Sequence, residues 1–90
     1  MTAARVEDET SARVADALQA AYFRGCLAHE REQAAEHLGK YRLELEHRFE
    51  TGALSGTSHL QSQVRSLDAE LRYIDRLIAK LDRRFPLGAR

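Results

Sequence analysis

The stretch SHLQSQVRSLDAELRYIDRLIAKLDRRF, residues 58–85, decides the fold. Within it Leu60, Val64, Leu67, Leu71, Ile74, Ile78, Leu81 and Phe85 follow one another at spacings of four, three, four, three, four, three and four. Apolar residues recurring every 3.5 positions lie on one stripe of a helix, whereas a half-buried strand would alternate with period two. Ser58 and Gln61 have the spacing of a capping box, in which hydroxyl and amide each satisfy a free backbone N–H of the first turn. Arg83 and Arg84 stand where positive charge favours the end of the helix dipole, and Pro86 forbids continuation. The pattern predicts a helix from about 58 to 85 whose stripe must be hidden against another helix.

The charges on this segment are ordered as well. Asp68, Asp75 and Asp82 recur every seven residues along one edge of the seam. Arg65, Arg72, Arg76, Lys80 and Arg83 cover the outer surface, where pairs four residues apart, such as Asp68–Arg72, are expected.

Upstream, residues 8–51 contain no proline and two glycines, Gly25 and Gly39. The second half of this segment carries a weaker seam of Leu27, Ala34, Leu38, Tyr41 and Leu45, with Phe49 beside it. Arg31 and Arg48 fall at intervening seam positions. Gly52 suits the left-handed position that closes a helix. The link from Thr51 to Thr57 is short and bracketed by Gly52 and Gly56, so the two helices should be antiparallel neighbours. The expectation is an all-α protein, an antiparallel helical hairpin in one domain spanning 1–90: a helix over about 8–51, a turn over 52–57, a helix over about 58–85 and a short C-terminal tail. Arg42 should face Asp68 across the seam, an exposed ion pair worth about 0.5 kcal/mol.

Folding about residue 54 leaves residues 8–24 beyond the end of the second helix. This overhang carries Val14, Leu18, Ala21, Tyr22 and Phe23, and a single helix with such a surface is marginal in water. Two arrangements follow. The helix breaks near Gly25 and folds back as a third short helix, or it stays continuous and packs on another chain to build a helical bundle. The second is favoured, which makes Val14, Leu18, Tyr22 and Phe23 the candidate partner-binding residues.

Composition narrows the function. Ninety residues make one small domain. Fourteen basic and fourteen acidic residues give zero net charge, against nucleic acid as the main partner, which would call for a basic excess. No apolar run approaches the roughly 20 residues of a membrane span, and the N-terminal stretch has no signal-peptide apolar core. One cysteine, Cys26, excludes an internal disulfide and a multi-cysteine zinc site. A soluble cytoplasmic protein is expected, and the twelve arginines against two lysines fit a GC-rich, bacterial genome.

Three constellations of residues bear on chemistry. His29, Glu36, His37, Glu44 and His47 share one face of the first helix, and Glu44 and His47 have the Glu-x-x-His spacing of di-iron bundles. They lie opposite the Leu27–Leu38–Leu45 seam and spread over about five turns, too far for one centre whose ligands must converge to about 2 Å. Cys26 near His29 has no third orienting group, and a lone cysteine on a helix is expected as small-residue packing. Tyr22, Phe23, Tyr41, Tyr73 and Phe85 sit at helical spacing and read as core or interface. No catalytic residue, cofactor or metal ligand is expected, and the protein is read as a non-enzyme.

Two families are resembled in part. The turn and second helix, within residues 41–81, resemble the coiled-coil domain of Gre-type transcript-cleavage factors, whose tip reads Gly-Asp-Leu-Ser-Glu. Here Gly52, Leu54 and Ser55 match, while Ala53 and Gly56 replace the two acidic residues that hold the catalytic metal. That resemblance implies a binder of the RNA polymerase secondary channel without cleavage activity. The size and helix-turn-helix plan are similar to the WXG100 proteins exported by type VII secretion, although Leu54-Ser55-Gly56 keeps only the glycine of their Trp-x-Gly signature. The export signal is also absent, since Leu77 stands four places after Tyr73. The residues themselves point first to a coiled-coil module for protein–protein interaction, a homodimer or a docking unit on a larger complex. The polymerase-binding, secreted-hairpin and histidine-face metal readings stand as alternatives.

Overall fold

A helix rich in alanine, leucine, glutamate and arginine, with no proline to interrupt it, should run long, and it does. In the computed structural model α1 spans Thr2–Thr51, 50 residues, and α2 spans Thr57–Arg84, 28 residues. The two pack as an antiparallel hairpin. The structure describes the backbone of residues 2–86 and the side chains of 9–86; Met1 and residues 87–90, with them the tail expected after Pro86, lie outside the described residues. At about 1.5 Å per residue α1 is about 75 Å long, which is the molecule's long dimension of 75 Å against 20 and 15 Å across.

α1 begins earlier than the expected start near residue 8 and passes unbroken through Gly25. A lone glycine inside a helix costs only about 1 kcal/mol relative to alanine. The strong helix formers on either side outweigh it, so there is no third, folded-back helix among the described residues.

The turn is built on two left-handed glycines, Gly52 at φ 74° and Gly56 at φ 79°. A side chain at either would be strained, and at Gly56 a Cβ would also come within 3.2 Å of the Arg48 guanidinium. The Leu54 carbonyl accepts from the Thr57 N–H at 3.3 Å and from the Thr57 hydroxyl at 2.9 Å. Arg48 Nη1 donates to the Ser55 carbonyl, tying the loop back onto α1. The expected capping box of Ser58 and Gln61 does not form. Gly56 is the cap residue and Thr57 already helical, so Ser58 lies inside the first turn, where its hydroxyl cannot serve as the cap. At the far end the Phe85 N–H donates to the Leu81 carbonyl at 2.7 Å, and Pro86 follows.

The core is one seam. Leu27, Ala34 and Leu38 of α1 and Ile74 of α2 are buried, Ile74 at 3% exposure. Leu60, Val64, Leu67, Leu71, Ile78, Leu81 and Phe85 are half-buried, as are Tyr41 and Leu45. Half-burial is what two helices can supply, since each stripe has a single neighbour.

Along one edge the three heptad aspartates each meet an arginine of α1. Arg24 Nε and Nη2 donate to Asp82 at 2.6 and 3.1 Å, Arg31 to Asp75 at 2.5 and 3.4 Å, and Arg42 Nη2 to both Asp68 oxygens at 3.3 Å. The Arg42–Asp68 pair is thus as the sequence suggests. The expected Asp68–Arg72 partnership is replaced, because the Asp68 carboxylate turns across the seam. Arg31 and Arg48 do not occupy the seam interior: Arg31 stands at its exposed edge with Asp75, and Arg48 leaves it for Glu44 at 3.0 Å and the loop. Solvent-screened pairs of this kind add little stability. Their value is register, since a slip of one helical turn would separate all three.

Two outcomes are expected. Leu71→Asp should remove roughly 1.5–3 kcal/mol of apolar burial and add the cost of a charge in the seam, so that far-UV circular dichroism shows lost helicity; a native melting midpoint would show the seam to be misassigned. The Arg24 guanidinium, raised by the hydrogen bond it donates to Asp82, holds the Asp82 carboxyl below its ordinary value, chiefly through that same bond. A depressed folded value means that the stabilisation is complete above the unfolded value near pH 4 and disappears as pH falls through the folded one. Acid melting curves of Asp82→Asn should therefore lie below wild type at neutral pH and converge with it under strong acid; a constant offset would remove the pair from the stem's stability.

Candidate functional site

The ion pair Arg24–Asp82 marks where the hairpin stops being double. α2 ends at Arg84, so among the described residues the part of α1 before about residue 16, about 20 Å of helix, has no helix beside it. Four large apolar side chains stand on α1 from this stretch to the end of α2: Val14 at 54% exposure, Leu18 at 68%, Tyr22 at 76% and Phe23 at 51%. These are the four partner-binding candidates, and all are open to solvent in the isolated chain. An apolar row of this size on a surface is a mark of an interaction site.

The structure divides the four. At 3.6 residues per turn Val14, Leu18 and Tyr22 share one face, on which Val14 and Leu18 are turned away from α2 while Tyr22 also borders the end of α2. Ser11, Ala15, Ala21 and Gly25 lie on the same face and are all exposed. Phe23 points elsewhere. It joins Tyr22, Ala20, Leu81, Arg84 and Phe85 around a groove at the end of α2. A second groove there, between Ala17, Ala20 and Ala21 of α1 and Leu81, Phe85 and Pro86 of α2, continues the seam past its last full layer. Arg84 covers the Phe85 ring at 5.5 Å. The part played by Phe85 and Pro86 at this mouth is not legible from the heptad pattern, which treats Phe85 as the seam's last residue only. The small residues Ala21 and Gly25 are legible in hindsight, by their spacing from Leu18 and Tyr22.

The other candidates are scattered. His29, His37 and His47 are exposed, Glu36 is paired with Lys40 at 3.3 Å and Glu44 with Arg48 at 3.0 Å. Among the described residues no three of histidine, cysteine, aspartate and glutamate come together to hold a metal ion. Cys26 is exposed and not packed as expected, because it lies around α1 from the seam and nothing covers that side of the helix. Tyr73 is exposed with Arg76 at 6.0 Å from its ring, whereas Tyr41 and Phe85 are half-buried. Leu54 is exposed at the tip between the two glycines. No helix among the described residues is long and apolar enough to cross a membrane. Comparison with protein-family models, with curated proteins and with solved structures finds no match to this chain.

Proposed function

We propose that the chain is a non-enzymatic, cytoplasmic coiled-coil module that binds protein, associating with itself or docking on a larger complex through the free part of α1. One observation carries this reading: the hairpin closes its own seam, yet Val14, Leu18, Tyr22 and Phe23 remain exposed on α1 at and beyond the end of α2. A lone helix gains little from propensity and is held chiefly by what it packs against. Burying side chains of this kind contributes roughly 1.5–3 kcal/mol each, enough for a handful to dominate an interface. The stem serves as a handle. Its paired edge fixes the direction in which the overhang leaves, and zero net charge leaves no long-range repulsion against partners of either sign.

The test is photo-crosslinking in cells that naturally express the chain, with a photoreactive residue at position 18 or 22 and, as control, at the exposed stem position 47. Protein adducts should form in severalfold excess from 18 and 22. Equal labelling from the stem, or none from the overhang, would overturn the reading.

A further inference from the structure

We propose that the outer face of α2 binds single-stranded nucleic acid, with phosphates on a row of cations and a base on Tyr73. Arg65, Arg72, Arg76, Lys80 and Arg83 are exposed and share the face of α2 opposite the seam at 3.6 residues per turn. At 1.5 Å per residue the row is about 27 Å long. Among the described residues none of the five has a carboxylate at ion-pair distance. The cause is the paired edge of the stem. Asp68, Asp75 and Asp82 are taken by Arg42, Arg31 and Arg24, and Glu70, the remaining carboxylate of α2, stands around the helix from the row. Arg72, Arg76, Lys80 and Arg83 therefore follow one another at steps of four, four and three. Like charges so spaced are unfavourable in a helix until something neutralises them.

Zero net charge is a sum over the chain and hides this segregation. Glu32, Glu36 and Glu50 stand on the side of α1 away from the seam, so the hairpin lies between them and the row. The molecule is 20 by 15 Å across, and charge is screened over about 8 Å at physiological ionic strength. A partner at the row thus meets a basic surface. Its chemistry follows from what the face offers. Exposed carboxylate–cation pairs add little stability, and the face has no apolar cluster to anchor an acidic protein. A nucleic-acid backbone gains instead by releasing the counterions condensed on it. An anionic bilayer would take up an apolar helix face along with the charges, and that of α2 is committed to the seam. Tyr73 selects a single strand. It is exposed, with Arg76 at 6.0 Å from its ring, and together with Leu77, Lys80 and Arg83 it lines a shallow hollow on the row. An unpaired base can stack on that ring while its flanking phosphates meet the cations, whereas a duplex keeps its bases stacked on one another.

Fluorescence anisotropy of a labelled, mixed-sequence DNA strand of about 20 nucleotides, titrated with the full chain, reads the binding. Log affinity should fall with log salt at a slope of roughly −3 to −4, as four or five phosphates on a single strand require. Arg76→Gln combined with Lys80→Gln should weaken binding about tenfold and reduce the slope by about 1.4. The melting midpoint should not fall in this variant, because like-charge repulsion is relieved. Tyr73→Ala should weaken binding severalfold and leave the slope unchanged, since stacking releases no counterion. Lys40→Gln, on α1, should change neither quantity. Absence of binding at low salt, or wild-type affinity in the double variant, would overturn the proposal. So would a duplex of the same sequence, phosphatidylserine vesicles or polyglutamate binding as tightly as the strand, each of which names a different occupant. Leu18→Glu should bind the strand as wild type does, so failure at the α2 face leaves the reading of the overhang standing.

Discussion

Everything in this molecule is arranged around one stripe of apolar side chains on α2 seeking cover. From Leu60 to Phe85 it recurs without a miss, and α1 answers with Leu27, Ala34 and Leu38, the most deeply covered residues of the first helix. Hydrophobic burial is non-directional, so on its own it would tolerate sliding. The Arg24–Asp82, Arg31–Asp75 and Arg42–Asp68 pairs remove that freedom at little energetic gain. The seam thus supplies the stability and the edge charges supply the alignment.

Alignment in turn decides what is left over. Because Asp82 is held by Arg24, α2 stops opposite the middle of α1, and the unequal lengths of 50 and 28 residues become an overhang instead of being taken up by a different register. The composition of the overhang does not suit isolation: from Val14 to Phe23 its charged residue is Asp16, and the rest are apolar or small apart from Gln19. A helix that is apolar nearly all round belongs inside a bundle. The same constraint that closes the stem therefore creates the surface proposed to act.

The histidine face shows the opposite case. His29, Glu36, His37, Glu44 and His47 share a helical face on paper, and they do so in the structure. Sharing a face is not convergence. Over several turns of a straight helix the side chains stand in a row, each in water, and two of the carboxylates are already held by Lys40 and Arg48. Ligation of one ion would need a second element to fold toward them, and α2 lies on the other side.

How much was readable without coordinates follows from the range of the forces involved. The period of the apolar residues, the glycines at 52 and 56 and the stop at Pro86 are local matters of backbone geometry and helical pitch. They determined two helices, their order and the turn between them, even the meeting of Arg42 with Asp68. Continuity through Gly25 was not decided locally, because a penalty near 1 kcal/mol leaves break and no break close in energy. Nor was the start of α2 legible to one residue, where the left-handed Gly56 displaced the capping box by taking the cap position itself. What only the tertiary structure decided is the partners of the other charges and which face stays bare. Arg24 takes Asp82 and Arg31 takes Asp75, and Val14 and Leu18 part company with Phe23, since both outcomes depend on where the second helix lies and ends.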